Sequence, residues 1–126
     1  MKVREALVAD PRVLASDAPV REAAELLAKP HVESVLVADG DRLVGCVTTG
    51  ALVAAVAEGR DLHSLAAGDL ADPDIATVGP DTPLDEALHL MVERGVERLA
   101  VTEDGRLLGV LPREPLVRRI AEDEPA

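Results

Sequence analysis

The sequence predicts an α/β (α+β) fold made of two β-α-β-β-α repeats related by a pseudo-twofold axis and packed into one module. Two observations carry the prediction. The first is an internal repeat: from Asp17 onward a shift of 64 residues lays one half over the other without a gap, and 15 of the 42 positions from Asp17 to Glu58 are identical to their counterparts from Asp81 to Glu122. The second is the pattern inside each copy, an amphipathic helical stripe followed by two short apolar runs around an Asp-Gly turn. A period this long, present only twice, is duplication of a small α/β unit and not a solenoid array. The division expected is 1–60 for the first repeat and 61–126 for the linker and second repeat.

The elements follow in order. Short strands at Val13-Leu14-Ala15 and Ile75-Ala76-Thr77 open the copies. In the first copy Pro19 stands where a helix begins, Val20, Ala23, Ala24 and Leu27 form its apolar stripe, and Pro30 ends it. In the second copy Thr82 is the expected N-cap, Pro83 the first helical residue and Gly95 the stop, with Leu84, Ala87, Leu88, Met91 and Val92 as the stripe. Ser34-Val-Leu-Val-Ala turns through Asp39-Gly-Asp into Arg42-Leu-Val-Gly-Cys-Val, and Arg98-Leu-Ala-Val-Thr turns through Glu103-Asp-Gly into Arg106-Leu-Leu-Gly-Val-Leu. Asp-Gly between apolar runs is a hairpin signal. Second helices are expected over Thr49 to Glu58 and Glu114 to Glu122, and short helices at Val3 to Val8 and Leu62 to Ala71. Ala9-Asp-Pro and Ala71-Asp-Pro also match, which implies two extra residues in the second copy.

Composition narrows the function. There is no Phe, Tyr or Trp, so the core is aliphatic and no aromatic platform exists for stacking a base. A net charge of −11 argues against nucleic acid and anionic membrane surfaces as partners. No apolar run reaches the length of a membrane span, and no signal-peptide core follows Met1. The single Cys46 excludes an internal disulfide, suits a reducing cytoplasm, and reads as a buried small hydrophobe. His31, His63 and His89 share no metal-ligand spacing, and no catalytic constellation stands out, so an enzyme is not expected.

Pro19 to Leu27, Pro83 to Met91, Gly95 to Val110 and the Gly45-Cys-Val-Thr48 stretch together resemble a cystathionine β-synthase (CBS) domain pair, or Bateman module, over essentially the whole chain. The resemblance implies a stand-alone regulatory module that needs no cofactor and binds an adenosine derivative such as AMP, ADP, ATP or S-adenosylmethionine in the clefts between repeats. It also implies a homodimer and an unidentified regulated protein. The alternative is a dimerisation or docking module whose nucleotide sites have degenerated.

The family's site motif, Gly-hydrophobic-x-Thr/Ser-x-x-Asp at the last strand and second helix, offers a hydroxyl and helix N–H groups to a phosphate and a carboxylate to the ribose. The first copy, Gly45 to Ala51, keeps Thr48 but has Ala51 for the acid; the second, Gly109 to Pro115, has Pro112 and Pro115 at the two positions. Glu114 substitutes for the acid only if the helix starts one residue differently. The candidate ligand residues are therefore Val13, Leu14, Ala15, Thr48, Thr49 and Ala51 in the first copy, and Ala76, Thr77, Arg98, Arg113 and Glu114 in the second. Thr48 and Thr49 read first as a helix N-cap and second as direct ligand contacts. Arg98 and Arg113 read either as phosphate ligands or as solvated partners of Glu93, Glu97, Glu114 and Glu122. Gly45 and Gly109 read as backbone-packing residues in strands.

Overall fold

A computed structural model describes residues 1–10 and 12–113. Within them the chain forms five strands and four α-helices, distributed over two compact units: Pro11–Ile75, and Met1–Asp10 with the chain from Ala76 onward. These units exchange the leading segments relative to the repeat halves. The segment that precedes the second repeat packs on the first, and the segment that precedes the first repeat packs on the second.

In the first-repeat unit, β1 (Ser34–Asp39) and β2 (Arg42–Thr48) make an antiparallel hairpin with Ser34 opposite Thr48. Leu14 runs parallel to β1, donating its N–H to the Leu36 carbonyl at 2.9 Å and accepting from Ala38 at 2.9 Å. On the far edge of β2, Cys46 and Asp72 exchange both backbone bonds, at 3.0 and 2.8 Å. Helices α1 (Val20–Leu27), α2 (Thr49–Ala57) and α3 (Ala67–Leu70) cover this layer. The buried centre is Ala23, Val37, Val47 and Ala67, with Leu14, Leu27, Leu52 and Leu70 packed around it.

The second-repeat unit repeats this arrangement. The short β3 (Thr77–Val78) lies parallel to β4 (Arg98–Glu103), which pairs antiparallel with β5 (Arg106–Pro112). On the far edge of β5, Val8 and Val110 exchange bonds at 2.9 and 2.8 Å. Helix α4 (Leu84–Arg94) buries Leu84, Ala87 and Met91 against Leu99, Val101, Leu111 and the fully buried Val3. The hairpin turn places both Asp104 and Gly105 at positive φ, as a tight two-residue turn requires.

The two units match at the same offset throughout. Val3 donates to Thr82 and Ala67 to Ala18; Arg4 donates to Pro80 and Gly68 to Ser16; Leu84 donates to Met1 and Val20 to Leu65. A register shift falls after Val37 in β1 and after Val101 in β4. The gapless register therefore extends back to Met1, and the two extra residues expected between the Ala-Asp-Pro echoes do not exist in the fold. The ladder sets Asp72 level with Val8, so the echo is out of register with the pairing. For the same reason the strand expected at Ile75-Ala76-Thr77 forms at Thr77–Val78, level with Leu14.

Gly45 and Gly109 have the packing role expected of them. A Cβ on Gly45 would stand 2.4 Å from the Asp72 carbonyl oxygen, and one on Gly109 2.6 Å from that of Val8. Only a bare α-carbon lets the crossing segment pair with the strand beside it.

Other expectations change. Helix α4 starts at Leu84, with Pro83 extended at its N-cap and no side-chain cap from Thr82, because the Met1 carbonyl already accepts the Leu84 N–H at 3.0 Å. Val92 is 71% exposed and does not belong to the core stripe. Cys46 is only partly buried. The helix expected over Glu114 to Glu122 lies outside the described residues.

Candidate functional site

The first-repeat unit brings its predicted residues to one end of its strands. Thr48 closes β2 opposite Ser34, and because Leu14 runs parallel to β1, Val13 approaches that same end. One strand separates Val13 from Thr48, a gap of about 10 Å at ordinary strand spacing. Thr48 is extended, and its Oγ1 accepts the Ala51 N–H at 3.1 Å, so it is the N-cap of α2. The hydroxyl proton and a second lone pair remain. Thr49 and Gly50 are exposed on the first turn and Ala51 is half-buried. Ala15 is exposed and lies toward the opposite end, where Ser16 donates from N and Oγ to Asp39 Oδ1 at 3.2 and 2.6 Å. Those two hydrogen bonds, the side-chain one first, hold the Asp39 carboxyl below its ordinary value.

The second-repeat unit offers a different surface at the equivalent end. Thr77 pairs with Ala100 and is exposed, while Ala76 packs against the core. Arg98 opens β4 opposite Pro112, which replaces Thr48 and supplies neither hydroxyl nor N–H. Arg113 donates its backbone N–H to the Glu97 carbonyl at 2.9 Å, and its guanidinium lies 3.8 Å from the Glu97 carboxylate, both side chains well exposed. That pair is the solvated reading of Arg113. Glu114 lies outside the described residues.

Arg98 departs from the solvated reading made of it. Its Nη1 lies 3.2 Å from Asp10 Oδ2, with the Asp10 side chain 1% and the Arg98 side chain 18% exposed. Asp10 is not among the acids expected beside it. Sequence reasoning missed Asp10 because 88 residues separate the two and no spacing rule joins them. The available signal was an acid beside Pro11, at a segment end that the fold carries onto the other repeat.

Among the described residues, no group of three or more His, Cys, Asp or Glu side chains is placed to hold a metal ion. No helix among them is long and apolar enough to cross a membrane.

This duplicated unit is that of a known class of module. The CBS domain family model matches residues 3–58 and 67–122, and the chain belongs to the CBS domain family. Hypoxic response protein 1 of Mycobacterium tuberculosis is 33% identical over 85 residues, covering 67% of this chain and 59% of that protein. The Methanopyrus kandleri protein MK0525, uncharacterized, is 30% identical over 86 residues, covering 67% of this chain and 44% of its own length. The chain thus spans about half the length of these curated relatives. Among solved structures, CBSX2 in complex with AMP superimposes with a TM-score of 0.77 at 30% identity, covering 96% of each chain. The CBS domain pair of protein MJ0100, solved with 5′-methylthioadenosine and S-adenosyl-L-methionine, shares the fold at a TM-score of 0.73 and 21% identity, covering 98% of each chain.

Proposed function

We propose that this CBS pair is a regulatory, non-catalytic module that senses an adenosine derivative, bound weakly and preferentially by the first-repeat unit. The observation that carries the reading is the junction of β2 and α2. There Thr48, exposed Thr49 and the first-turn N–H groups stand about 10 Å from Val13 across β1, and Pro112 leaves the other unit without the Thr48 hydroxyl. AMP in the 30% identical CBSX2 structure, and S-adenosyl-L-methionine in the MJ0100 pair, support the ligand class. Weak affinity follows from Ala51, which leaves the two ribose hydroxyls without a charged acceptor, a loss of about 1.5–3 kcal/mol. Calorimetric titration with AMP, ADP, ATP and S-adenosylmethionine tests the reading. Ala51→Asp should strengthen binding at least tenfold. If wild type and Ala51→Asp both bind none of them while folded, the nucleotide reading is wrong.

A second reading, a docking module, is favoured by one observation: on α2 only Ala55 is buried, and Val53 and Val56 are 62% and 59% exposed. Such a helix calls for a second packing surface, and a homodimer through it is our expectation. Sedimentation that finds only monomer at tens of micromolar counts against it. The partly buried Cys46 is compatible with a reducing cytoplasm.

A further inference from the structure

We propose that Asp10 is a built-in counter-ion occupying the cation of the second-repeat unit's candidate site, so that an anionic ligand engages Arg98 only by displacing it. The inference rests on reading the Thr77–Arg98 end of that unit as a ligand edge.

Three observations carry it. The Asp10 carboxylate is withdrawn from water almost completely and meets the Arg98 guanidinium at 3.2 Å. A carboxylate so placed needs compensation, and the guanidinium supplies opposite charge, since an uncompensated buried charge is strongly unfavourable. Next, the pair is absent where the fold is otherwise duplicated. Ser34 and Asp74 stand at the equivalent positions, and Asp74 is exposed, with its N–H donated to the Asp72 carboxylate. The first-repeat unit builds the same ladder without an ion pair there, so the pair is an addition to the architecture and not a requirement of it. Finally, Arg98 lies opposite Pro112, at the position where the first-repeat unit presents its Thr48 hydroxyl. With the hydroxyl and the N–H gone, the guanidinium is the anion-binding group left on that rung, and its planar fork suits phosphate oxygens as well as a carboxylate.

The ligand class is therefore a phosphate-bearing one, and its binding has a mechanical consequence. Asp10 ends the Met1–Asp10 segment, which is fixed to this unit through Val3 and Val8. Replacing its carboxylate with a phosphate releases the end of that segment, the point where the chain passes into the first-repeat unit.

The test is titration of wild type and Asp10→Asn with inorganic pyrophosphate, AMP and adenosine. The asparagine keeps the size of the side chain and removes the competing charge. We expect pyrophosphate and AMP to bind Asp10→Asn about tenfold more tightly and adenosine to be unaffected. Arg98→Met in the Asp10→Asn background should abolish that gain for pyrophosphate. Should Asp10→Asn fail to fold, NMR of the wild-type Asp10 carboxyl carbon decides: it must shift on adding pyrophosphate, and an unmoved signal at saturation overturns the proposal. A folded Asp10→Asn with unchanged pyrophosphate affinity overturns it as well. If adenosine and AMP bind neither protein, the nucleotide reading fails, while the pyrophosphate comparison still judges Asp10.

Discussion

Gly45→Ala is the sharpest probe of how the crossing segments are held. The added methyl would sit 2.4 Å from the Asp72 oxygen, 2.7 Å from its carbonyl carbon and 3.1 Å from the Pro73 nitrogen. All three are backbone atoms, so no rotamer change relieves the clash, and the segment must retreat by about 1 Å to reach ordinary van der Waals distance. Retreat breaks the two Cys46–Asp72 hydrogen bonds, now 3.0 and 2.8 Å long. At about 0.5–1.5 kcal/mol each, their loss costs about 1–3 kcal/mol, offset by roughly 0.5–1 kcal/mol because alanine is the better strand residue. The net expectation is about 1–2 kcal/mol of destabilisation, or a fall of roughly 4–10 °C in Tm for a chain of this size. Gly50→Ala is the matched control. Its methyl would meet only Thr48 Oγ1 at 3.7 Å, on an exposed helical turn. The same chemical change should there stabilise by about 0.5 kcal/mol. Urea denaturation measures both, and hydrogen exchange at the Asp72 amide reports where the loss falls. A Gly45→Ala protein as stable as wild type, with Asp72 still protected, would refute the reasoning.

Further outcomes are expected. His31 holds φ at 66°, level with Gly95 at φ 64°, so His31→Gly should stabilise by about 1 kcal/mol, read from the denaturation midpoint. Thr48→Ala should cost about 1 kcal/mol through the lost cap, while Thr48→Ser keeps most of it; equal losses for both would argue against capping. The Asp39 carboxyl is held below its ordinary value by Ser16, so whatever stability the pair contributes is present above that value and fades as pH falls through the lowered one. Ser16→Ala should move the Asp39 midpoint upward in an NMR titration.

The helices and hairpins were legible because their signals are local. Val20 and Ala23, or Ala87 and Met91, announce a buried stripe by spacing alone, and Asp104-Gly105 announces a turn by its chemistry. Thr48 was legible as a cap for the same reason. The Asp10–Arg98 pair was not, because it is made by a segment folding back across the chain, and no periodicity encodes which repeat a leading segment will join. The apolar stripe of α4 overreached at Val92 because a stripe read from hydropathy has no edge, and the helix turns its last valine outward.

The crossing segments also decide which pieces of the chain stand alone. A cut at the repeat boundary, 1–60, separates the first repeat from Ala67, which is fully buried, and from Leu70 and Asp72, which complete its core and its ladder. It retains Met1 to Asp10, whose Val3 has its burial partners in the other unit. The fragment 11–75 instead keeps every one of those groups together. At about 65 residues it is near the lower limit for an independent core. Fragment 11–75 should therefore show a cooperative urea transition and protected amides at Cys46 and Asp72, while 1–60 should show neither. If 1–60 folds as well as 11–75, the crossing segments are accessories and the sequence repeat is itself the folding unit. If only 11–75 folds, the register that links Val8 to Asp72 is the one that governs stability, and the Ala-Asp-Pro echo is coincidence.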